Sequence, residues 1–277
     1  STLSVILFLS FFCHSLLLGD VKGKKQYTNF DFQKQSSPES ILSIDRKKMD
    51  INRISAWFRN DGEFYSDHAT TTAGFEWPKG SGIYAIFSSS MWIGAKVKNP
   101  TDTTKKEIRV ATVGHFFSEF RPGRIMSGGL PEDYTLPNLR VYRVRPLLDT
   151  PANNVDYLEW PVDQGAPWID IDEDGIWNPY VDKIGIKWPK GPEYPDMITF
   201  CVYNDAEEAY HTWIWGQSKP LGVEVRQTCW AYATTFGDYQ FLRFQIYNKS
   251  TSILDSTYLT FWSDPDVGDA FDDYVGV

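Results

Sequence analysis

The stretch DIDEDGIWNPYVDK, residues 170–183, sets carboxylates at alternate positions. Asp170, Asp172 and Asp174 fall at loop positions 1, 3 and 5, and Gly175 follows at position 6. Oxygen-rich calcium loops begin this way, because alternate side chains in a tight loop turn inward and a glycine lets the backbone reverse. The carbonyl of Ile176 at position 7 and the side chain of Asn178 at position 9 can add oxygens. Position 12 is Val181, and the closing acid comes one residue later, at Asp182. The flanks carry prolines and no helical period, which excludes a helix–loop–helix hand. What remains is a free-standing loop in the weak extracellular range, about 10⁻⁴–10⁻³ M. Calcium is the expected ion, since no His or Cys lies in the stretch to suggest zinc. The plain alternative is a solvated acidic turn, whose carboxylates repel one another unless something neutralises them.

A second acidic cluster, WSDPDVGDAFDDYVGV, places Asp264, Asp266, Asp269 and Asp273 around Gly268. It is read either as a second oxygen cage or as an acidic loop. Trp160, Trp168, Trp177 and Trp188 crowd the proline-rich segment around the first loop. Loop tryptophans can form a platform for a sugar ring, or can clamp a long loop onto a sheet as a satellite core.

Catalytic signatures are missing. His68, His115 and His211 are scattered, with no metal-spaced pair, and no G-x-S-x-G elbow accompanies Asp67 and His68. No phosphate-binding glycine loop implies an organic cofactor. The chain's 36 acids offer too many choices to name a facing pair for glycoside hydrolysis. The sequence therefore identifies no catalytic residue.

The elements that must hold these residues alternate with period two. INRISAWFRNDG (51–62) ends in an Asn-Asp-Gly turn, and GIYAIFSSSMWIGAKV (82–97) reads as two strands around a small-residue turn. KEIRVATVGHFFSEF, LRVYRVR, DMITFCVYND, GVEVRQTCWAYATT, YQFLRFQIYNKS and STYLTFWSDPD continue the pattern. The expected fold is an all-β antiparallel sandwich, one large or two small, with long Pro/Trp-rich loops and little helix. A soft boundary near 147–156 divides an N-terminal β module (49–149) from a second module or lobe (150–277), behind a polar linker at 23–48.

Net charge is −9 and the pI about 5.0, so nothing favours nucleic acid or an anionic membrane surface. The apolar run from Leu3 to Leu18 is short for a membrane span and fits the h-region of a signal peptide over residues 1–22 with a truncated start. Export follows, with no transmembrane anchor in the mature chain. Cys201 and Cys229 would then meet an oxidising milieu, as one disulfide or as two buried thiols.

Five phrases come in a fixed order: FEWPKGSGIYAIFSSSMWIGAKV, SEFRPGRI, EWPVDQGAPWIDIDEDGIWNPYVDK, VYNDAEE and FWSDPDVGDAFDDYVGV. Together they resemble the N-terminal part of a group of large exported proteins of Bacteroidetes and Ignavibacteria-type bacteria, which end in a type IX secretion sorting domain. The likeness covers about residues 50–277. It implies a fragment of a longer protein, at the surface of a Gram-negative cell, but no settled activity. The expectation is a secreted or cell-surface, calcium-stabilised sandwich with a structural or adhesive role. Its partners would be cell-envelope or matrix components, or a polysaccharide. The alternative is a carbohydrate-binding module using the loop tryptophans.

Overall fold

The computed structural model describes residues 2–10, 44–98, 102, 104–115, 117–186, 194–211 and 217–266. In chain order the first strands are β1 (Thr2–Ser10), β2 (Arg46–Met49), β3 (Ser55–Arg59), β4 (Glu63–Phe64), β5 (Ser66–Asp67), β6 (Thr72–Ala73) and β7 (Phe75–Glu76). Next are β8 (Tyr84–Lys98), β9 (Lys106–Ala111), β10 (Val113–Gly114), β11 (Phe117–Ser118), β12 (Arg121–Pro122) and β13 (Tyr142–Val144). After a single turn of helix, α1 (Val155–Leu158), come β14 (Trp168–Ile169), β15 (Lys183–Ile184), β16 (Met197–Asn204), β17 (Val223–Ala231), β18 (Tyr239–Asn248) and β19 (Leu254–Pro265).

Two antiparallel sheets carry the fold. One runs β1-β18-β17-β16-β12, with β13 also on β16; the other runs β19-β8-β4-β3-β2, with β7 and β9 paired to β8. Their inner faces share one core. Ala56, Phe58, Phe64, Ile93 and Val97 from the second sheet meet Cys201, Tyr203, Val225, Leu242 and Phe244 from the first. The chain is an all-β sandwich.

The first sheet is buried on its other face too. There Ile198, Phe200, Val202, Trp230 and Phe241 pack against Tyr157, Trp160, Ile184 and Ile186 of the long loop. All eight residues of β16 are consequently buried, as its almost unbroken apolar run MITFCVYN requires of a strand covered on both sides. Among the described residues no helix is long and apolar enough to cross a membrane.

Two expectations need correction. The boundary near 147–156 does not separate two cores, because β16, β17 and β18 pack on strands from the first half and β19 pairs along β8. Residues 82–97 do not fold as two strands around a turn either. The small residues instead run through a single strand of 15 residues, where Ser88 Oγ donates to Glu63, Ser89 Oγ to Ser263 Oγ, and Ser90 Oγ to the Val113 carbonyl. Each serine thus has a partner on another strand, and none has to break out into a turn.

Cys201 and Cys229 are free and buried. Cys201 lies opposite Gln227, and Cys229 opposite Thr199. The two residues are therefore diagonal neighbours, at a typical Cα spacing of about 7–8 Å, beyond what a disulfide bridges without backbone movement. At the chain start, Thr2–Ser10 pairs along β18 from Thr2↔Tyr247 to Ser10↔Tyr239, so residues read as a signal segment supply an edge strand here.

Candidate metal site

The β14–β15 ribbon pins the two ends of the aspartate loop by pairing Trp168 with Ile184 and Ile169 with Lys183. Within it the chain reverses twice through left-handed backbone, at Glu173 (φ 60°) and Gly175 (φ 75°). Gly175 is the position where the calcium pattern calls for glycine. Asp170, Asp172 and Asp174 converge, with one carboxylate oxygen of each within 4.8 Å of the others. Asp172 and Asp174 are exposed. Asp170 Oδ2 accepts the Gly175 N–H at 2.8 Å and Asp174 Oδ1 the Ile176 N–H at 2.7 Å. Asp170 Oδ1 is buried without a hydrogen-bond partner. Desolvation, then the charges of Asp174 and Asp182, raise the Asp172 carboxyl above its ordinary value. The three oxygens thus form an unneutralised acceptor cluster suited to a hard divalent cation.

The remaining loop positions are placed differently. Asp182 is fully buried, and its two oxygens accept the N–H groups of Ile171 (2.9 Å) and Asn178 (2.7 Å). It buckles the loop shut from behind and is not gathered with the three aspartates. Asn178 Oδ1 accepts from Tyr180 N at 3.0 Å, closing a local turn. Ile176 is exposed, its N–H tied to Asp174.

Of the second acidic cluster, Asp269 and Asp273 lie outside the described residues. Asp264 pairs with His115 at 3.3 Å, and Asp266 donates its backbone N–H to the Ala85 carbonyl at 3.1 Å. Among the described residues the Asp170 group is the only set of three potential ligands brought together.

Among the described residues the loop tryptophans do not lie in one plane. Trp160 is buried in the outer core, its Nε1 donating to the Pro167 carbonyl at 3.1 Å, so its predicted place in a sugar platform is corrected to a clamp. Trp168 and Trp177 are half-buried and meet edge to face at 75°. Trp188 lies outside the described residues.

The histidine near Ser66 and Asp67 resolves into a buried charge nest. Glu63 is fully buried. Its Oε1 accepts from Ser66 Oγ (2.7 Å) and Ser88 Oγ (2.8 Å), and its Oε2 from His68 Nε2 (2.7 Å). Arg59 lies against His68, pairs with Asp61 and stands 3.3 Å from Glu63. Burial alone would raise the Glu63 carboxyl, but the His68 hydrogen bond, the Arg59 and His68 charges and the Ser66 hydrogen bond outweigh it and bring it down to about 2. Asp67 turns away to Arg46. Ser66 donates to the Glu63 carboxylate, whose lowered pKa makes it too weak a base to activate a hydroxyl nucleophile. The sequence carried one weak signal for it, charged residues inside an apolar-alternating stretch.

No protein-family model, curated protein or solved structure matches this chain. Its function is therefore argued from its own geometry: a trio of unneutralised aspartates on a loop buckled to the outer face of a β-sandwich.

Proposed function

We propose that this chain is an exported, calcium-stabilised β-sandwich module with a structural or adhesive role at the cell surface. The observation that carries the reading is the convergence of Asp170, Asp172 and Asp174, together with the buried Asp170 Oδ1 that has no hydrogen-bond partner. A cation there would neutralise a cluster that otherwise works against its own loop. The same loop carries Trp160 and Ile184 into the outer core, so fixing it fixes the outer layer of the fold. Export rests on the apolar run Leu3–Leu18, and the adhesive role on the absence of a catalytic arrangement among the described residues together with the surface loops. Burial of Trp160 and the crossed rings of Trp168 and Trp177 favour this scaffold over the tryptophan sugar platform.

The test is thermal unfolding in about 2 mM calcium and in excess EGTA. At the affinity expected for such a loop, calcium adds about 0.6–1.8 kcal/mol, a rise of about 1–7 °C for a chain of this size. The rise should vanish in an Asp172→Ala, Asp174→Ala double variant. Superimposable curves with and without calcium in the parent protein would reduce the loop to an acidic turn.

A further inference from the structure

A polar cavity of about 560 Å³ opens where β2, β13 and the start of α1 meet, within the usual size range of small-ligand sites. In a chain of net charge −9 its lining is cationic: Lys47, Arg140, Arg143 and Arg145 face Asp50, Asp149 and Asp156. Most of these charges are already spent on one another. Asp149 Oδ1 takes Arg145 Nε (3.0 Å) and Nη2 (2.7 Å), and its Oδ2 takes Arg145 N (2.7 Å) and Asn154 Nδ2 (2.8 Å). Asp156 Oδ1 takes Arg140 Nε at 2.9 Å and Oδ2 the Arg143 N–H at 3.0 Å. Arg140 also reaches Glu159 at 2.9 Å.

Lys47, Arg143 and Asp50 are left over, none of them in an ion pair among the described residues, and the balance of the three is one positive charge. Strand alternation points the two cations here. Tyr142 and Val144 enter the outer core, which turns Arg143 to the other face of β13, toward β2 of the second sheet. Arg46 and Lys48 both lie over Trp57, which puts Lys47 on the opposite side of β2. The backbone around Arg143 is held firmly: its N–H by Asp156, its carbonyl by Asn154 Nδ2 at 3.1 Å, and its Nη1 by the Lys48 carbonyl at 2.9 Å. The rest of the guanidinium fork remains to bind.

We propose that this cavity is an oxyanion site, in which the Arg143 fork and the Lys47 ammonium hold a carboxylate, sulfate or phosphate-ester group of a small ligand. A planar guanidinium matches two oxygens of such a group, and an ammonium beside it adds a compact second charge. The site is built without the aspartate loop and goes beyond the scaffold reading, giving the module a ligand chemistry of its own.

The experiment is titration of the full chain with sodium sulfate, inorganic phosphate and sodium glucuronate, against sodium chloride at matched ionic strength. It is followed by chemical shifts or calorimetry in calcium-free buffer without a dissolved chelator, so that loss of the calcium reading leaves it untouched. Saturable binding of at least one oxyanion is expected. Arg143→Gln should weaken it at least tenfold, and Lys47→Gln several-fold. Arg143→Lys, which keeps the charge and loses the fork, should not restore it. Lys106→Gln, remote on β9, should change nothing. If Arg143→Gln fails to fold, Lys47→Gln alone decides. Unsaturable responses equal to chloride, or parental affinity in the decisive variant, would overturn the proposal.

Discussion

Two acid-rich regions of this molecule handle the same chemistry in opposite ways. The Glu63 nest is sealed in the sandwich, and every charge there faces a donor that the chain supplies: Arg59, His68, Ser66 and Ser88. The Asp170 trio sits at the surface, and its carboxylates face each other. Burial demands that compensation be folded in, because an unpaired buried charge is prohibitive. Exposure allows it to be deferred to something dissolved. A buried carboxylate therefore speaks for architecture, and a surface trio without cations speaks for a ligand.

The comparison is broken most forcefully at its buried end. Glu63→Ala leaves Arg59 and His68 without their shared acceptor and should cost about 3–5 kcal/mol in urea unfolding; a loss under about 1 kcal/mol would mean the nest is not internally compensated. Acid should separate the two regions by sign. With its carboxyl held near 2, against 4.5 ordinarily, Glu63 contributes about 3 kcal/mol above pH ~4.5, lost as the pH falls toward 2. Asp172 is shifted upward, so its contribution is most favourable at low pH and is lost as the pH rises through its folded value. A calcium-free stability profile in which Glu63→Ala removes the acid-labile part would establish the first half.

Trp160→Ala asks whether the loop is held by packing as well as by charge. It should destabilise by about 3–5 kcal/mol as the outer core loses its clamp, read as a lowered urea midpoint. An unchanged midpoint would detach the loop from the sandwich. The smallest effect belongs to Asp172→Asn. Without calcium it should raise the melting temperature slightly, by removing a repelled charge, and in calcium it should fall below the parent. The same direction of change in both conditions would contradict a cation role for the trio.

Much of the fold was legible from alternation alone. Strands β16, β17 and β18 fall where DMITFCVYND, GVEVRQTCWAYATT and YQFLRFQIYNKS predict them. Positions 1, 3, 5 and 6 of the aspartate loop gather or bend as their spacing requires. The failures share a cause, which is that spacing alone does not show which partner claims a side chain. Asp182 looked like a ligand because it closes the pattern, but its oxygens are claimed by backbone N–H groups at Ile171 and Asn178. The triple serine of β8 looked like a turn because Glu63, Val113 and Ser263 were out of sight. The Lys47–Arg143 cavity joins residues 96 positions apart, and no local window contains it.

The two free thiols of the core have a practical consequence. Burial pushes Cys201 and Cys229 well up from ordinary thiol behaviour, so as folded they offer almost no thiolate to an alkylating reagent. Reaction must wait until the two sheets part. The rate at which Cys201 and Cys229 take up label therefore measures how often the sandwich opens, and the chain carries, without any added probe, a clock for its own breathing.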